Sequence, residues 1–248
     1  MSFLSHVAHF FATRSNWTAS GGIIDQLVGQ LELSAVAIVA AVAVGVPLGA
    51  LMGHSGRGSF VVVNAANAAR AVPSFALLTL LAIQPAIVRL QDGGFVAAAI
   101  AMFALAVPPV LTNAYIGVRE VDPAVRSAAL AMGMTPGQLL RRVELPLAAP
   151  LLMAGARTAA VEVVATATLA AYVNFTDLGN YIISGLANQD DVETFCGAVL
   201  VAALALLVDL AMAGAGRLLT PAGTRVRTGR RLWSGRGVGS DVSTVRAA

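Results

Sequence analysis

The stretch that decides the fold assignment is VDPAVRSAALAMGMTPGQLLRRVELP, residues 121–146. It is the longest interior segment that is not simply apolar, and long hydrophobic runs lie on both sides of it. Asp122 followed by Pro123 is typical of a helix N-cap and its first helical residue. Gly133 ends that helix where a left-handed residue is wanted.

A second short helix follows directly in the same stretch. Thr135 and Pro136 are typical of its start, and Gln138 stands where the reciprocal partner of a capping box belongs. Pro146 either closes this helix or opens the next one. The stretch therefore predicts two short helices that meet at a glycine corner.

Composition places this helix pair in a membrane protein. The chain of 248 residues is 57% hydrophobic and 12% charged, with a mean hydropathy of +0.78. A soluble domain carries about 25% charged residues, and a membrane helix needs about 20 apolar residues. The sequence therefore predicts an all-α polytopic membrane protein, and no segment alternates as barrel strands do.

Apolar runs and their breaks predict five transmembrane helices. These cover residues 33–52, 59–83 with a break near Pro73, 95–118 with a kink at Pro108–Pro109, 147–172 and 194–215. Gly45 and Gly49 in the first span favour close helix approach. The predicted domains are an extracytoplasmic segment 1–30, a transmembrane domain 31–216 with its loop at 119–146, and an arginine-rich cytoplasmic tail 217–248.

Two segments outside the spans have some helical character. Apolar residues at helical spacing within 1–15 predict either an interfacial amphipathic helix or a weakly ordered tail. The loop 173–193 is acidic and predicts a short helix around residues 178–186. The acidic residues of this loop either favour a cation at the outer side of the membrane or are simply exposed to solvent.

The arginines set the orientation. All 16 basic residues are arginine, which we interpret as genome composition. With the 119–146 loop inside, twelve arginines lie in inside segments, and only Arg14 and Arg89 lie outside. The N-terminus is therefore predicted to be outside, with the 119–146 loop and the C-terminus in the cytoplasm.

Several function classes find no support in the sequence. Cys196 is the only cysteine, so no internal disulfide framework is expected, and the three histidines lack metal-ligand spacing. The arginines do not form a soluble basic face, so nucleic acid is not an expected partner. The chain has no lysine and therefore lacks the phosphate-binding loop of an ATPase.

The 121–146 stretch resembles a motif of a known family. Ser127-Ala128-Ala129, then Gly133, then Val143-Glu144-Leu145-Pro146 is similar to the Glu-Ala-Ala…Gly…Ile-x-Leu-Pro loop of binding-protein-dependent ABC importer permeases, with matching spacing. The family's glutamate is Ser127 here, and valine replaces isoleucine at 143. The loop's position between the third and fourth of five spans resembles permeases of the methionine-importer type, a type I ABC importer fold.

Further stretches are similar to one branch of that family. Residues 70–78, 133–136, 143–150 and 178–186 resemble permeases that import glycine betaine, choline, carnitine and related osmoprotectants. The resemblance implies a permease subunit without its own ATPase site, driven by ATP hydrolysis in a separate subunit. A permease for an amino acid or another small polar solute is the alternative.

The resemblance also implies partners and a contact region. The implied partners are ABC ATPase subunits that bind ATP and Mg, an extracytoplasmic solute-binding protein, a second permease subunit and the bilayer. No cofactor is implied in this chain itself. The implied ATPase-coupling residues are Ser127, Ala128, Ala129, Gly133, Arg141, Val143, Glu144, Leu145 and Pro146. Arg141 and Arg142 are alternatively positive-inside anchors.

Polar residues inside the spans form a second candidate group. Charges in a bilayer are costly and usually face an interior or a partner. We expect an intramembrane network of Asn64, Asn67, Arg70, Arg157, Glu162 and Asp209. Glu162 is the expected partner of Arg157 or Arg70, and the alternative places some of these residues near headgroups or water. The two asparagines favour interhelical hydrogen bonds over substrate contact.

Two other function classes explain less of the sequence. An ATP-independent channel or secondary carrier accounts for the intramembrane charges but not for the capped helix pair. A membrane-embedded enzyme needs a nucleophile, a paired acid motif or a histidine cluster, and the sequence shows no such arrangement.

Overall fold

The computed structural model describes residues 3–58, 60, 62, 64 and 71–219, and these residues are helical with short connections. The α-helices are α1 Phe3–Ala12, α2 Arg14–Thr18, α3 Ile23–Ser55, α4 Ser74–Ala82, α5 Pro85–Val88, α6 Gly93–Arg119, α7 Pro123–Ala131, α8 Pro136–Leu139, α9 Leu145–Thr166, α10 Gly179–Asn188 and α11 Asp191–Leu219. A π-helical turn, Leu140–Glu144, joins α8 to α9, and a 3₁₀ helix, Ala167–Val173, follows α9.

Four helical segments among the described residues are long and apolar enough to cross a membrane. They are Arg14–Ser55, Gly93–Arg119, Pro136–Val173 and Asp191–Leu218. Each contains one of the predicted spans. The predicted second span, 59–83, falls partly outside the described residues, and its described part includes α4, which starts directly after the extended Pro73.

The helix ends differ from the predicted domain boundaries. Helix α3 begins at Ile23, so the predicted boundary between 30 and 31 falls inside this helix. Helix α11 continues to Leu219, and the rest of the predicted tail lies outside the described residues. Helix α6 runs uninterrupted through Pro108 and Pro109.

Small residues hold α3 against α6. A Cβ added at Gly45 would lie 3.0 Å from Val110 Cγ1, and one at Gly49 would lie 2.5 Å from the Leu111 carbonyl oxygen. A Cβ added at Gly53, one turn further on, would lie 2.7 Å from the Tyr115 carbonyl oxygen. Helix association in a membrane depends on such close packing, because lipid offers no hydrophobic drive for it. The predicted role of Gly45 and Gly49 is confirmed.

The core follows from the same contacts. Buried residues of α3, α4, α6 and α9 form one cluster that is rich in alanine. Alanine and glycine let the backbones approach, and larger side chains such as Leu33, Leu78 and Met102 fill the remaining space. The arrangement places the connection between α6 and α9, residues 120–144, at one end of the bundle.

The N-terminal segment is helical and packs on the bundle. Phe3 of α1 meets Phe195 of α11 edge-on at 5.4 Å between ring centroids, and Phe10 meets Tyr181 of α10 at 5.7 Å. Such edge contacts add to apolar burial. Of the two interpretations of residues 1–15, the structure supports the helix. The short helix expected around 178–186 is present as α10.

Candidate functional site at the 119–146 loop

The loop begins with a capped helix. Asp122 Oδ1 accepts a hydrogen bond from the Ala124 backbone N–H at 2.8 Å, and Pro123 is the first residue of α7. The carboxylate satisfies one of the free N–H groups at the helix start and favours the positive end of the helix dipole. The start predicted from sequence is confirmed.

A glycine corner joins α7 to α8. Gly133 has φ +86°, and no atom lies within 4 Å of the position that a Cβ would occupy. Glycine is therefore required here by the backbone conformation and not by crowding. At the start of α8, Thr135 Oγ1 accepts from the Gln138 N–H at 3.3 Å and Gln138 Oε1 accepts from the Thr135 N–H at 2.9 Å. The predicted capping box is confirmed.

The π-helical turn connects this pair to the long helix α9. Within it Arg141 and Arg142 are exposed, whereas Glu144 is fully buried. Pro146 is in the first turn of α9, so it opens the next helix and does not close α8. Proline is tolerated there because the first N–H groups of a helix have no partner within the helix.

Glu144 joins three parts of the chain. Its Oε2 is 2.6 Å from Nδ1 of His54 near the end of α3, and its Oε1 is 3.0 Å from Nε of Arg126 in α7. The Arg126 contact is an ion pair whose N–H is not aligned for a hydrogen bond. Another guanidinium nitrogen of Arg126 donates to the Val118 carbonyl of α6 at 2.7 Å. This cluster ties α7 to α3, α6 and α9.

Because Glu144 is buried, its carboxylate needs a compensating partner. A carboxylate without solvent access is costly unless a positive or hydrogen-bonding partner compensates it. Arg126 supplies a permanent charge, and its side chain is 18% exposed. The sequence analysis placed Glu144 in the loop motif but missed its partners, because His54 is 90 residues away and no periodicity connects the two.

One face of α7 is exposed and largely apolar. Ala129 is buried against the body, whereas Ser127 and Ala128 are exposed. The large apolar side chains nearby are also exposed, with Leu130 at 48% and Met132 at 75%. Such a patch at the end of a bundle is typical of a protein contact.

The remaining predicted loop residues lie at the start of α9 or directly before it. Leu145 packs against a small buried cluster of Ala50, Val118 and Ala148. Val143 is partly exposed and Pro146 is exposed. The structure thus brings the predicted loop residues into one unit, with Glu144 inside and the residues 127 and 128 outside.

Two members of the predicted intramembrane network form an ion pair between α9 and α11. Arg157 of α9 donates two hydrogen bonds to Asp209 of α11, from Nε at 2.6 Å and from a terminal nitrogen at 2.7 Å. The predicted partner of Glu162 was Arg157 or Arg70. Glu162 lies beside Arg157 in the wall of one cavity, and its pairing stays a prediction because Arg70 lies outside the described residues.

The predicted asparagine pair is only partly described. Asn64 donates to the Phe60 carbonyl one turn back at 2.7 Å, which is a bond within its own segment. Asn67 and Arg70 lie outside the described residues.

Two buried polar residues were missed by the sequence analysis. Gln30 of α3 donates to the Val164 carbonyl at 2.8 Å and accepts from the Leu178 N–H at 3.1 Å, so it joins α9 to the loop before α10. Asp177 in that loop is fully buried, and burial raises the pKa of its carboxyl to about 7. Its Oδ1 accepts from the Gly179 N–H at 2.7 Å. Neither residue carries a motif that a single sequence reveals.

Across residues 3–58, 60, 62, 64 and 71–219, no group of three His, Cys, Asp or Glu side chains is arranged to hold a metal ion.

The chain is similar in sequence to known membrane transport proteins. Residues 45–222 match the family described as binding-protein-dependent transport system inner membrane component. A choline transport system permease protein of Bacillus subtilis is 34% identical over 89% of this chain and 96% of its own length. A carnitine transport permease protein of Listeria monocytogenes is 36% identical over 79% and 87%. An osmoprotectant import permease protein of Salmonella typhimurium is 32% identical over 83% and 96%.

Solved structures show the same fold. The methionine ABC transporter in an inward-facing conformation matches with a TM-score of 0.69 at 23% identity, over 80% of this chain and 96% of the other. An amino acid ABC transporter with histidines matches with a TM-score of 0.63 at 20% identity, over 89% and 98%.

Proposed function

Because the chain belongs to the family of binding-protein-dependent transport system inner membrane components, we propose that it is the permease subunit of an ATP-driven importer for a compatible solute. The solute class is glycine betaine, choline, carnitine or proline betaine. The relatives above 30% identity that cover most of the chain carry choline, carnitine or osmoprotectant in their names. This agreement supports the solute class.

The assembly follows from the family. Two permease subunits face each other around one pathway, two ATPase subunits dock on the cytoplasmic side, and a binding protein delivers solute outside. ATP and Mg bind to the ATPase subunits. The chain lies in a bacterial inner membrane with its N-terminus outside and with the 119–146 loop and the C-terminus in the cytoplasm.

One observation carries the coupling role, namely the two-sided arrangement of α7. Its outer face, with Ser127 and Ala128, is exposed and low in profile, and its inner face is tied to three long helices through Arg126 and Glu144. A rigid body that pushes on the outer face therefore moves α3, α6 and α9 together. Ser127 lacks the family's carboxylate, so shape and apolar contact supply the docking here.

A charged substitution on the outer face tests the docking. We expect A128E to abolish co-purification of the ATPase subunits, because an acidic side chain prevents close approach and is desolvated without a partner. T18E adds the same charge at an exposed position of α2 that is distant in sequence from α7. This control should leave co-purification intact. Full co-purification and uptake with A128E would rule out this face as the docking site.

Uptake measurements test the solute. Proteoliposomes that contain the whole importer should accumulate labelled choline, carnitine or glycine betaine in the presence of ATP and binding protein. Accumulation of methionine or histidine in preference to these solutes would favour the amino-acid alternative.

A further inference from the structure

A continuous groove runs between α9 and α11. One cavity of about 610 Å³ is lined by Ala154, Arg157, Thr158, Val161, Glu162 and Asp209. A second cavity of about 360 Å³ extends from the same Ala154 and Arg157 to Pro150 and Arg217. Since Pro150 is near the start of α9 and Arg217 near the end of α11, the second cavity opens toward the end of the bundle that carries the 119–146 loop.

The inner end of the groove lies well inside two of the long apolar helices. At 1.5 Å per residue, Arg157 is roughly 18 Å along α9 from Leu145, and Asp209 is roughly 15 Å along α11 from Leu219. Both residues are at least two helical turns from either end of their helices. In helices of a length that spans a hydrocarbon layer of about 30 Å, such positions are expected within the membrane.

The charged side chains at this depth are not buried by the protein. The side chain of Arg157 is 45% exposed and that of Asp209 is 29% exposed. Thr158 and Glu162 on the same wall are also exposed. Exposure of charge to lipid at mid-depth is costly, and such residues face water-filled cavities or partner proteins.

The dimensions and lining of the groove suit a small polar solute. Its inner cavity is within the range of about 300–1,000 Å³ found for small-molecule sites. Its walls combine the apolar Ala154 and Val161 with one hydroxyl and three ionisable side chains, so several polar groups converge on one cavity.

We propose that this groove is the cytoplasmic half of the solute pathway, sealed from lipid by the second permease subunit, with the Arg157–Asp209 pair and Glu162 at its inner end. The occupant is water and a small polar or charged organic solute. The proposal rests on the importer function proposed above and adds the residues that line its path. A solute that carries both an ammonium and a carboxylate finds groups of opposite charge within one cavity.

Thiol accessibility in the whole importer tests the groove. Replacing the buried Cys196 by alanine gives a chain without thiols, because it is the only cysteine. In that background T158C and A154C place a thiol in the groove, and V39C places one at mid-length of α3, where Val39 is 68% exposed and outside the groove. Each assembled complex is treated in inside-out membrane vesicles, which expose the cytoplasmic side, with a membrane-impermeant methanethiosulfonate reagent.

The expected result is a difference in labelling rate. Thiolate forms in water and not in hydrocarbon, so T158C and A154C should react about tenfold faster than V39C or more. Equal rates at the groove and control positions, whether slow or fast, would overturn the proposal. A154C serves as the second variant if T158C does not assemble.

Uptake and ATPase co-purification are measured on the same preparations. A complex that transports solute but leaves both groove thiols unlabelled places the pathway elsewhere and keeps the importer function. A wild-type complex that assembles with no ATPase and transports no solute contradicts the proposed function itself.

Discussion

Glu144 shows how one residue takes its role from neighbours that are distant in sequence. In the chain it occupies the unspecified position of the loop motif, directly before Leu145 and Pro146. In the fold it is fully buried between His54 and Arg126. Its contacts therefore join residues of α3 and α7 that lie 90 and 18 positions before it in the chain.

Removal of the Glu144 charge is expected to destabilise the subunit. E144Q leaves the largely buried Arg126 without its counter-charge, and breaking such a pair costs about 3–5 kcal/mol. We expect a lower thermal unfolding midpoint of the purified complex and reduced uptake. E120Q, at an exposed position after α6, is the matched control. An unchanged midpoint for E144Q would show that the cluster contributes little.

Asp177 predicts a dependence of stability on pH. Burial raises the pKa of its carboxyl from an ordinary 3.8 to about 7, so the folded state retains a proton that the unfolded chain releases. The associated stability is complete below pH 3.8 and is lost as the pH rises through about 7.

D177N removes this titration and preserves the acceptor for the Gly179 N–H. We expect the unfolding midpoint of the variant to exceed that of the wild type at pH 8 and the two to converge toward pH 4. The exposed neighbour variant D191N should follow the wild type. A wild-type midpoint that rises between pH 4 and pH 7, and does so equally in D177N, contradicts the assignment.

At the scale of the elements, apolar runs and glycine spacing predicted most of the architecture. The helices that contain the first, third, fourth and fifth predicted spans are present and are long enough to cross a membrane. The capped pair α7 and α8 has the predicted start, corner and capping box. The extension of α3 back to Ile23 was missed, because the polar residues before Leu33 interrupt the apolar run while the helix continues.

The close packing of α3 on α6 predicts that a larger residue at Gly49 separates the two helices. In G49V the Cβ would lie 2.5 Å from the Leu111 carbonyl oxygen and 2.7 Å from Ala114 Cβ. The helices must separate, and overpacking of this kind costs about 1–3 kcal/mol or more.

Loss of assembled complex on size-exclusion chromatography checks this expectation. G214V in α11 is the matched control, since nothing lies within 4 Å of the Cβ that it adds. Equal yields of monodisperse complex from the two variants would show that the α3–α6 contact tolerates separation.

At the scale of the whole molecule, the fold and the orientation in the membrane rest on different observations. The family match and the solved structures show a permease fold. The arginine distribution predicts which end of the bundle faces the cytoplasm, since cytoplasmic loops carry an excess of basic residues. Both the 119–146 loop and the end of α11 are predicted to lie on that side.

Reporter fusions measure this orientation. A fluorescent protein fused after Leu219 should fluoresce, because it folds in the cytoplasm, and alkaline phosphatase fused after Asn188 should be active outside. The reverse pattern would invert the predicted topology. It would also place the exposed face of α7 on the side where ATPase subunits are absent.

The sequence by itself determined the membrane class, the positions of the long helices, the capped pair and the family, because these depend on composition and on spacings within a few turns of chain. Only the tertiary structure decided which charges meet. It paired Arg157 with Asp209 across 52 residues and Glu144 with His54 across 90. It also revealed Gln30 and Asp177 as buried polar residues. The physical reason is that pairing and burial depend on which helix faces approach one another, and side-chain packing over the whole bundle sets those faces.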